Sequence, residues 1–479
     1  MELTIPGAAA RAAREFGDAE AVAEPDGARL SYRELGERVT TVAAALIASG
    51  VNPGDRVAIW CPNTVHWVLA ALGSLSAGGV LVPVSSRYQD AEAGEIIGRS
   101  EAKLVLVRDK FLGHDYRAPA GVPVIDLASD FLSSGSSYAA RVGADDPCDM
   151  FFTSGTTGRS KGVVMRHAQT VRAWVDWCSL TGLRAGDRYL IVSPFSHVFG
   201  YKAGCVAAAI AGAATLPVAV FDAPSVLRLV EREKVTVLPG PPTLYASLLD
   251  HPARASHDLS TLRLAVTGAA VVPVPLVERM RAELFREVVI AYGLTESCGT
   301  VTVGDPHADP ETACRTVGRA IEGTEVIIGG PDGAPLPPGS SGEVLVRGYN
   351  VMRGYFEDPE ATAAALDPAG WLHTGDVGTL DADGNLRITD RLKDMFVVGG
   401  FNAYPAEIEQ VIARHEQVSE AAVVGVPDAR LGEVGCAFVV PRPGMTVTEE
   451  EIIAFCREHL ANFKVPRSVR VVAALPRNA

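Results

Sequence analysis

The sequence has no CxxC pair, so a zinc site of the ordinary cysteine spacing is not expected. Eight cysteines are scattered at 61, 148, 178, 205, 298, 314, 436 and 456, a pattern unlike a disulfide framework. They read as small core hydrophobes in a reducing compartment, so the chain is expected to be cytoplasmic. Excess positive charge is also missing. A formal net charge of −14 argues against nucleic acid and against an anionic membrane surface as partners. Long apolar runs are scarce. Ala203–Phe221 carries no charge for nineteen residues, but Gly212 and Pro217 interrupt it. A buried helix, a glycine stop and a short strand are expected there, with no stable membrane insertion. Met1–Phe16 lacks the apolar region of a signal peptide, because Arg11, Arg14 and Glu15 break it.

What is present is ordinary for a globular protein: 48% hydrophobic and 21% charged residues in 479. That length predicts more than one domain, since single cores stop growing near ~250–300 residues. Up to about residue 300, short β-branched runs alternate with helical stretches. Strands are expected at Arg56–Cys61, Val80–Val84, Lys103–Arg108, Tyr189–Ser193, Val235–Leu238, Leu262–Thr267 and Val288–Tyr292. Helices are expected at Thr64–Ala77, Ser225–Glu233 and Leu276–Phe285. This rhythm predicts helix-covered parallel sheets, an α/β class. From Gly323 short strands and turns predict a small antiparallel β-barrel or sheet. From Asp390 the order helix, strands, helix predicts a small α+β unit. The boundaries are set at 1–390, with α/β parts 1–145 and 146–322 and a barrel-like part 323–390, and at 391–479. A homodimer is compatible with this sequence, which does not fix the oligomeric state.

The stretch Thr153-Ser154-Gly155-Thr156-Thr157-Gly158-Arg159-Ser160-Lys161-Gly162 packs three glycines, five hydroxyls and two cations together. Glycines let successive backbone N–H groups face an anion. The hydroxyls add donors, and Lys161 adds a point charge. A polyphosphate calls for all three. Asp149–Phe152 ahead reads as a buried strand. The loop is not a Walker A, because only two residues separate Gly155 from Gly158. A flexible linker would need neither the strand nor the lysine.

Other clusters carry chemistry. Tyr292–Ser297 follows a strand at its C-terminal end, where α/β proteins place ligands. There Thr295 offers a hydroxyl and Glu296 a carboxylate suited to Mg²⁺ beside a phosphate loop. Asp376 follows Gly375, where a carboxylate can accept from both ribose hydroxyls, and Arg391 and Lys393 follow Asp390. Surface turns and salt bridges are the commoner fate of such residues. His197 lies among aromatics after a strand and is read equally as a general base or as a gating or packing histidine.

Together these residues resemble the adenylate-forming superfamily of acyl-CoA synthetases, luciferases and peptide-synthetase adenylation domains, from about Leu30 to the last residue. The resemblance implies ATP-dependent conversion of a carboxylate to acyl-AMP and pyrophosphate, then displacement of AMP by CoA, in an AMP-forming acid–thiol ligase. It implies ATP, Mg²⁺ and CoA as cofactor and co-substrates. It assigns Thr153, Ser154, Gly155, Thr156, Thr157, Gly158 and Lys161 to the phosphates, and Gly268, Ala269, Ala270, Ala291, Tyr292 and Gly293 to the adenine and acyl group. Thr295 is assigned to the α-phosphate, Glu296 to the metal, and Asp376 and Arg391 to the ribose. His197, Phe199, Ala269 and Gly293 are expected at the acyl pocket, with room for a bulky ring-bearing or medium-chain acid. Lys393 is the hinge about which residues 391–479 swing as a mobile lid, and Gly399, Gly400, Phe401 and Asn402 line the CoA tunnel. Phe199-Gly-Tyr-Lys-Ala203, Val237–Thr243, Val266–Ala270 and Asn462–Lys464 are similar to the branch that activates hydroindanone propanoates in steroid degradation. An acceptor other than CoA, or an unusual acid such as nitrite, is the alternative. The family's catalytic lysine follows a Pro-Arg-Asn-Ala segment. The sequence stops at Pro476–Ala479, and that lysine is expected beyond it, the other reading being a form that lacks it.

Overall fold

The computed structural model describes residues 3–108, 110–111, 114–116, 118–119, 121–133, 135, 142–153, 160–268, 272–308, 310–331, 333–392, 394–398, 401–403, 405–428, 430–460 and 462–476, and all counts refer to these. Two large sheets dominate the first 320 residues. In one, the parallel strands Glu287–Tyr292, Leu264–Gly268, Val237–Pro239, Arg188–Ile191, Ala214–Pro217 and Glu20–Ala23 lie side by side. Short antiparallel strands Arg29–Ser31, Thr302–Val303 and Arg319–Ala320 extend its two edges. In the other, Val124–Asp126, Leu104–Val107, Arg56–Trp60, Val80–Val84 and Pro147–Thr153 run parallel, and Lys161–Arg166 closes one edge antiparallel. The expected parallel α/β class holds, with antiparallel strands confined to edges.

Local chemistry explains the main helices. Thr64 caps Val65–Ser76 by accepting from the Trp67 N–H, and that helix is apolar all round because it is buried all round. Ser31 and Glu34 form a capping box for Tyr32–Ala48, as Thr448 and Glu451 do for Glu449–His459. Ala203–Phe221 resolves much as expected. A π-helix Phe199–Val206 runs into a helical turn Ala207–Ala211, Gly212 stops it at φ 77°, and Ala214–Pro217 is a strand. No described helix is long and apolar enough to cross a membrane. All eight cysteines are buried, and none forms a disulfide.

One sequence expectation changes form. The loop after Phe152 joins two antiparallel strands, Thr153 standing opposite Lys161. The expected small barrel is an open sheet ordered Thr324–Gly329, Gly342–Gly348, Leu372–Leu380 and Leu386–Arg391. Four strands are too few to close around a core. The C-terminal strands Phe396–Val398, Phe401–Ala403, Val418–Asp428, Gly432–Pro441 and Ser468–Val471 form a further sheet. With helices Pro405–Ile412 and Glu449–His459 they enclose their own core around Phe396, Ile408, Val439 and Ile452.

His167 opens the helix His167–Thr181, is 1% exposed, and its Nδ1 accepts from the Ile5 N–H at 3.2 Å. Burial pushes its pKa from 6.5 down to about 4. A depressed value means that the unfolded chain takes up the proton first, so stability present above pH 6.5 drains away as pH falls toward 4. The full shift corresponds to roughly 3 kcal/mol. His167→Asn, which keeps an acceptor but cannot titrate, is expected to flatten the fall of melting temperature across that window. An unchanged pH slope would show that His167 is not responsible.

Candidate active site

The C-terminal ends of the strands Glu287–Tyr292 and Pro147–Thr153 border a cavity of about 1660 Å³, whose far wall belongs to the C-terminal unit. That exceeds an ordinary small-ligand pocket of ~300–1,000 Å³ and leaves room for a nucleotide and an acid together. Lys161, Glu296, Asp376, Arg391 and His197 all border it, along with Thr153, Thr295, Ala291, Tyr292 and Gly293. These residues come from segments more than two hundred positions apart, so the fold rather than sequence proximity assembles them.

Glu296 lies in the 3-10 turn Thr295–Ser297, just past the strand Glu287–Tyr292. Gly293 must be glycine here, since a Cβ would stand 2.5 Å from the Gly299 carbonyl oxygen. The Glu296 Oε1 accepts from the Tyr355 hydroxyl at 2.9 Å and the Thr153 hydroxyl at 3.4 Å. Lys161 Nζ lies 4.9 Å from the centre of the Tyr355 ring. Arg99 donates to the Ser160 carbonyl and so anchors the loop's exit. Of the expected phosphate-binding residues, Thr153 and Lys161 stand at the hairpin's mouth. Ser154, Gly155, Thr156, Thr157 and Gly158 lie outside the described residues, as do Ala269 and Ala270.

Asp376 is 4% exposed and sits within the strand Leu372–Leu380 rather than in the turn before it. It accepts from the Tyr292 hydroxyl at 2.6 Å, and its Oδ1 lies 3.3 Å from Arg391 Nε. The two expected ribose residues are therefore cross-strand partners. Glu343 holds the approach to Asp376, accepting from the Gly375 N–H at 3.0 Å and meeting His373 at 2.8 Å.

The His197 side chain is exposed at the cavity wall, and desolvation by the surrounding protein lowers its pKa. Its Nδ1 accepts from the Phe199 N–H at 3.2 Å. The neutral ring therefore carries its proton on Nε2, and its remaining polar group is a donor. The geometry favours a donor over the general base considered from sequence. Gly200 lets this turn close, because a Cβ there would meet the Pro194 carbonyl oxygen at 2.1 Å. Phe199 packs edge-on against Trp177, 5.8 Å between ring centres, and does not border the cavity. Gly268 ends the strand Leu264–Gly268 beside Ala291 and also lies off the cavity wall.

At the junction to the C-terminal unit, Asp390 accepts from the Arg391 and Ala406 N–H groups. Burial pushes the nearby Glu409 carboxyl up to about 7, and Asp390 and Asp394 push the same way. Lys393, Gly399 and Gly400 lie outside the described residues, while Phe401 and Asn402 pair through their backbones with Val398 and Val397.

Sequence reasoning missed several contributors. Tyr355 stands in an aperiodic Gly-Tyr turn. Asn63, just ahead of the helix Val65–Ser76, donates to the Ser193 carbonyl at 2.9 Å and accepts from the Phe195 N–H at 2.7 Å, clamping the His197 loop. Val198, Val272 and Glu409 also border the cavity.

The fold and this cavity define an adenylate-forming enzyme. Residues 9–356 match the AMP-binding enzyme family and residues 407–479 match its C-terminal domain, so the chain belongs to the AMP-binding enzymes. It is 50% identical to the 3-[(3aS,4S,7aS)-7a-methyl-1,5-dioxo-octahydro-1H-inden-4-yl]propanoyl:CoA ligase of Rhodococcus jostii, over 99% of this chain and 96% of that one. The ligase of the same name from Mycobacterium tuberculosis is also 50% identical, with the same coverage. The ATP-bound MatB from Rhodopseudomonas palustris has the same fold, with a TM-score of 0.89 and 30% identity over 100% of this chain and 96% of that chain.

Proposed function

We propose that this chain activates a bulky, ring-bearing acid of the hydroindanone-propanoate class. The reaction is ATP-dependent ligation of a carboxylic acid to CoA. The carboxylate attacks the α-phosphorus of ATP and pyrophosphate leaves. The CoA thiolate then attacks the acyl carbon of the mixed anhydride and AMP departs. One observation carries the reading: Lys161, Glu296, Asp376, Arg391 and His197 converge on a single cavity large enough for nucleotide and acid.

In this reading Thr153, Lys161 and the 154–158 loop hold the phosphates, Thr295 meets the α-phosphate, and the Asp376–Arg391 pair takes the ribose. The Nε2–H of His197 serves as a donor to the acid. Lys161 offsets the repulsion between a carboxylate and a polyanion. Positioning supplies much of the remaining acceleration. Glu296 fits a hard divalent cation. Its Oε1 is committed to Tyr355 and Thr153, and among the described residues nothing is paired with Oε2. Magnesium, when bound, screens the charge of the phosphate oxygens. Residues 391–479, with a core of their own, act as a lid turning near Lys393, and closure keeps water from the adenylate. The buried thiols fit a cytoplasmic enzyme.

The test is CoA-dependent AMP release across steroid-derived, hydroxycinnamic and medium-chain acids, using protein with its complete C-terminus. The hydroindanone propanoate is expected to lead in kcat/KM by roughly a hundredfold. Preference for a hydroxycinnamate, or AMP release indifferent to CoA, would overturn the substrate or the acceptor respectively.

A further inference from the structure

We propose that Tyr355 is a positioning residue for adenylation, holding Lys161 with its ring face and Glu296 with its hydroxyl while keeping the two opposite charges apart. The inference rests on the roles proposed above for Lys161 and Glu296. Lys161 Nζ is 4.9 Å from the ring centre, and the Tyr355 hydroxyl donates to Glu296 Oε1 at 2.9 Å. Among the described residues the partner of the Lys161 ammonium is the Tyr355 ring rather than a carboxylate. A direct Lys161–Glu296 pair would cancel the two charges the reaction needs, one to meet phosphate and one to meet a cation. A ring face holds an ammonium more weakly than a carboxylate does, so it gives the charge up to an arriving polyanion more readily. The hydroxyl occupies one carboxylate oxygen and leaves the other for the metal.

The backbone shows that this placement is built in. The Phe356 N–H donates to the Gly162 carbonyl at 2.7 Å, next to Lys161. The Met352 N–H donates to the Glu296 carbonyl at 2.8 Å. The Tyr355 N–H donates to the Thr362 hydroxyl at 2.9 Å, and Gln169 holds the Tyr349 and Val351 carbonyls at 2.8 and 2.7 Å. The segment carrying Tyr355 is thus tied directly to the strand that carries Lys161 and to the turn that carries Glu296.

The experiment measures ATP binding by titration calorimetry over a series of Mg²⁺ concentrations, with no acid present, alongside acid-dependent ATP–pyrophosphate exchange. Tyr355→Phe keeps the ring and loses the hydroxyl. It is expected to raise the Mg²⁺ midpoint roughly tenfold while ATP affinity at saturating Mg²⁺ stays near that of the parent. Tyr355→Leu loses both contacts and is expected to weaken ATP binding even at saturating Mg²⁺, with exchange down about a hundredfold. A merely structural tyrosine would lower the melting temperature and leave the Mg²⁺ midpoint unmoved. An unmoved midpoint in a folded Tyr355→Phe protein overturns the inference. Lys161→Ala and Glu296→Gln separate the two levels: if they too leave ATP binding and its Mg²⁺ dependence unchanged, the assignment of the site itself fails.

Discussion

Glu296→Gln is expected to lose about 10²–10³-fold of acid-dependent ATP–pyrophosphate exchange while folding normally. The amide keeps the volume of the side chain and can still accept from Tyr355 and Thr153 through its carbonyl oxygen. What it loses is the negative charge toward the cavity. No group of three or more histidine, cysteine or acidic side chains capable of holding a metal occurs among the described residues, so this carboxylate has no understudy. Raising Mg²⁺ should recover only part of the rate, because the protein's share of the cation's ligands is gone. Full exchange at ordinary Mg²⁺ would remove Glu296 from the metal site and leave it as a turn-stabilising residue.

The second large effect concerns stability. Lys202 and Asp149 are each 0% exposed and lie 3.1 Å apart, an ion pair without hydrogen-bond alignment. Lys202 also donates to the Thr170 hydroxyl at 3.2 Å and reaches Cys298 Sγ at 3.4 Å. Burial works against its charge, and Asp149 together with the neighbouring Cys298 and Cys148 more than offsets that, so its pKa is raised. The network joins the strand Pro147–Thr153, the helix His167–Thr181, the π-helix after His197 and the residue two past Glu296. Lys202→Met strands a buried carboxylate and is expected to cost about 3–5 kcal/mol. The double change Lys202→Met with Asp149→Leu removes both charges and should recover most of that loss, since apolar replacements of buried pairs are often neutral. Urea unfolding followed by tryptophan fluorescence reads the right part of the molecule, because all five tryptophans precede residue 372. A single variant as stable as the parent would mean that the pair carries little net charge in the fold.

Much of this was legible from residue patterns. Alternation of β-branched runs and helices located most of the parallel strands to within a few residues, because burial leaves little other composition available, but it missed Glu20–Ala23 and Val124–Asp126. Of the glycine-and-hydroxyl stretch, the described ends Thr153 and Lys161 border the cavity. What escaped depended on contacts between distant positions. Asp149 and Lys202 are ordinary charges in apolar runs until the fold brings them together. Tyr355 carries no periodic signal. Asp376 looked like a turn residue because Gly375 precedes it, and Gly375 does have φ 70°, yet the strand continues through it. The open four-stranded sheet and the Asp390–Glu409 junction follow from pairing order, which turn signals do not encode.

The most direct measurement follows oxygen. The acid is prepared with both carboxylate oxygens replaced by ¹⁸O and turned over with ATP and CoA, and the products are weighed by mass spectrometry. Attack on the α-phosphorus sends one labelled oxygen into AMP and leaves the other in the thioester, with none in pyrophosphate. Label in inorganic phosphate alongside ADP, or AMP free of label, would contradict an acyl-adenylate and with it the reading of the whole cavity.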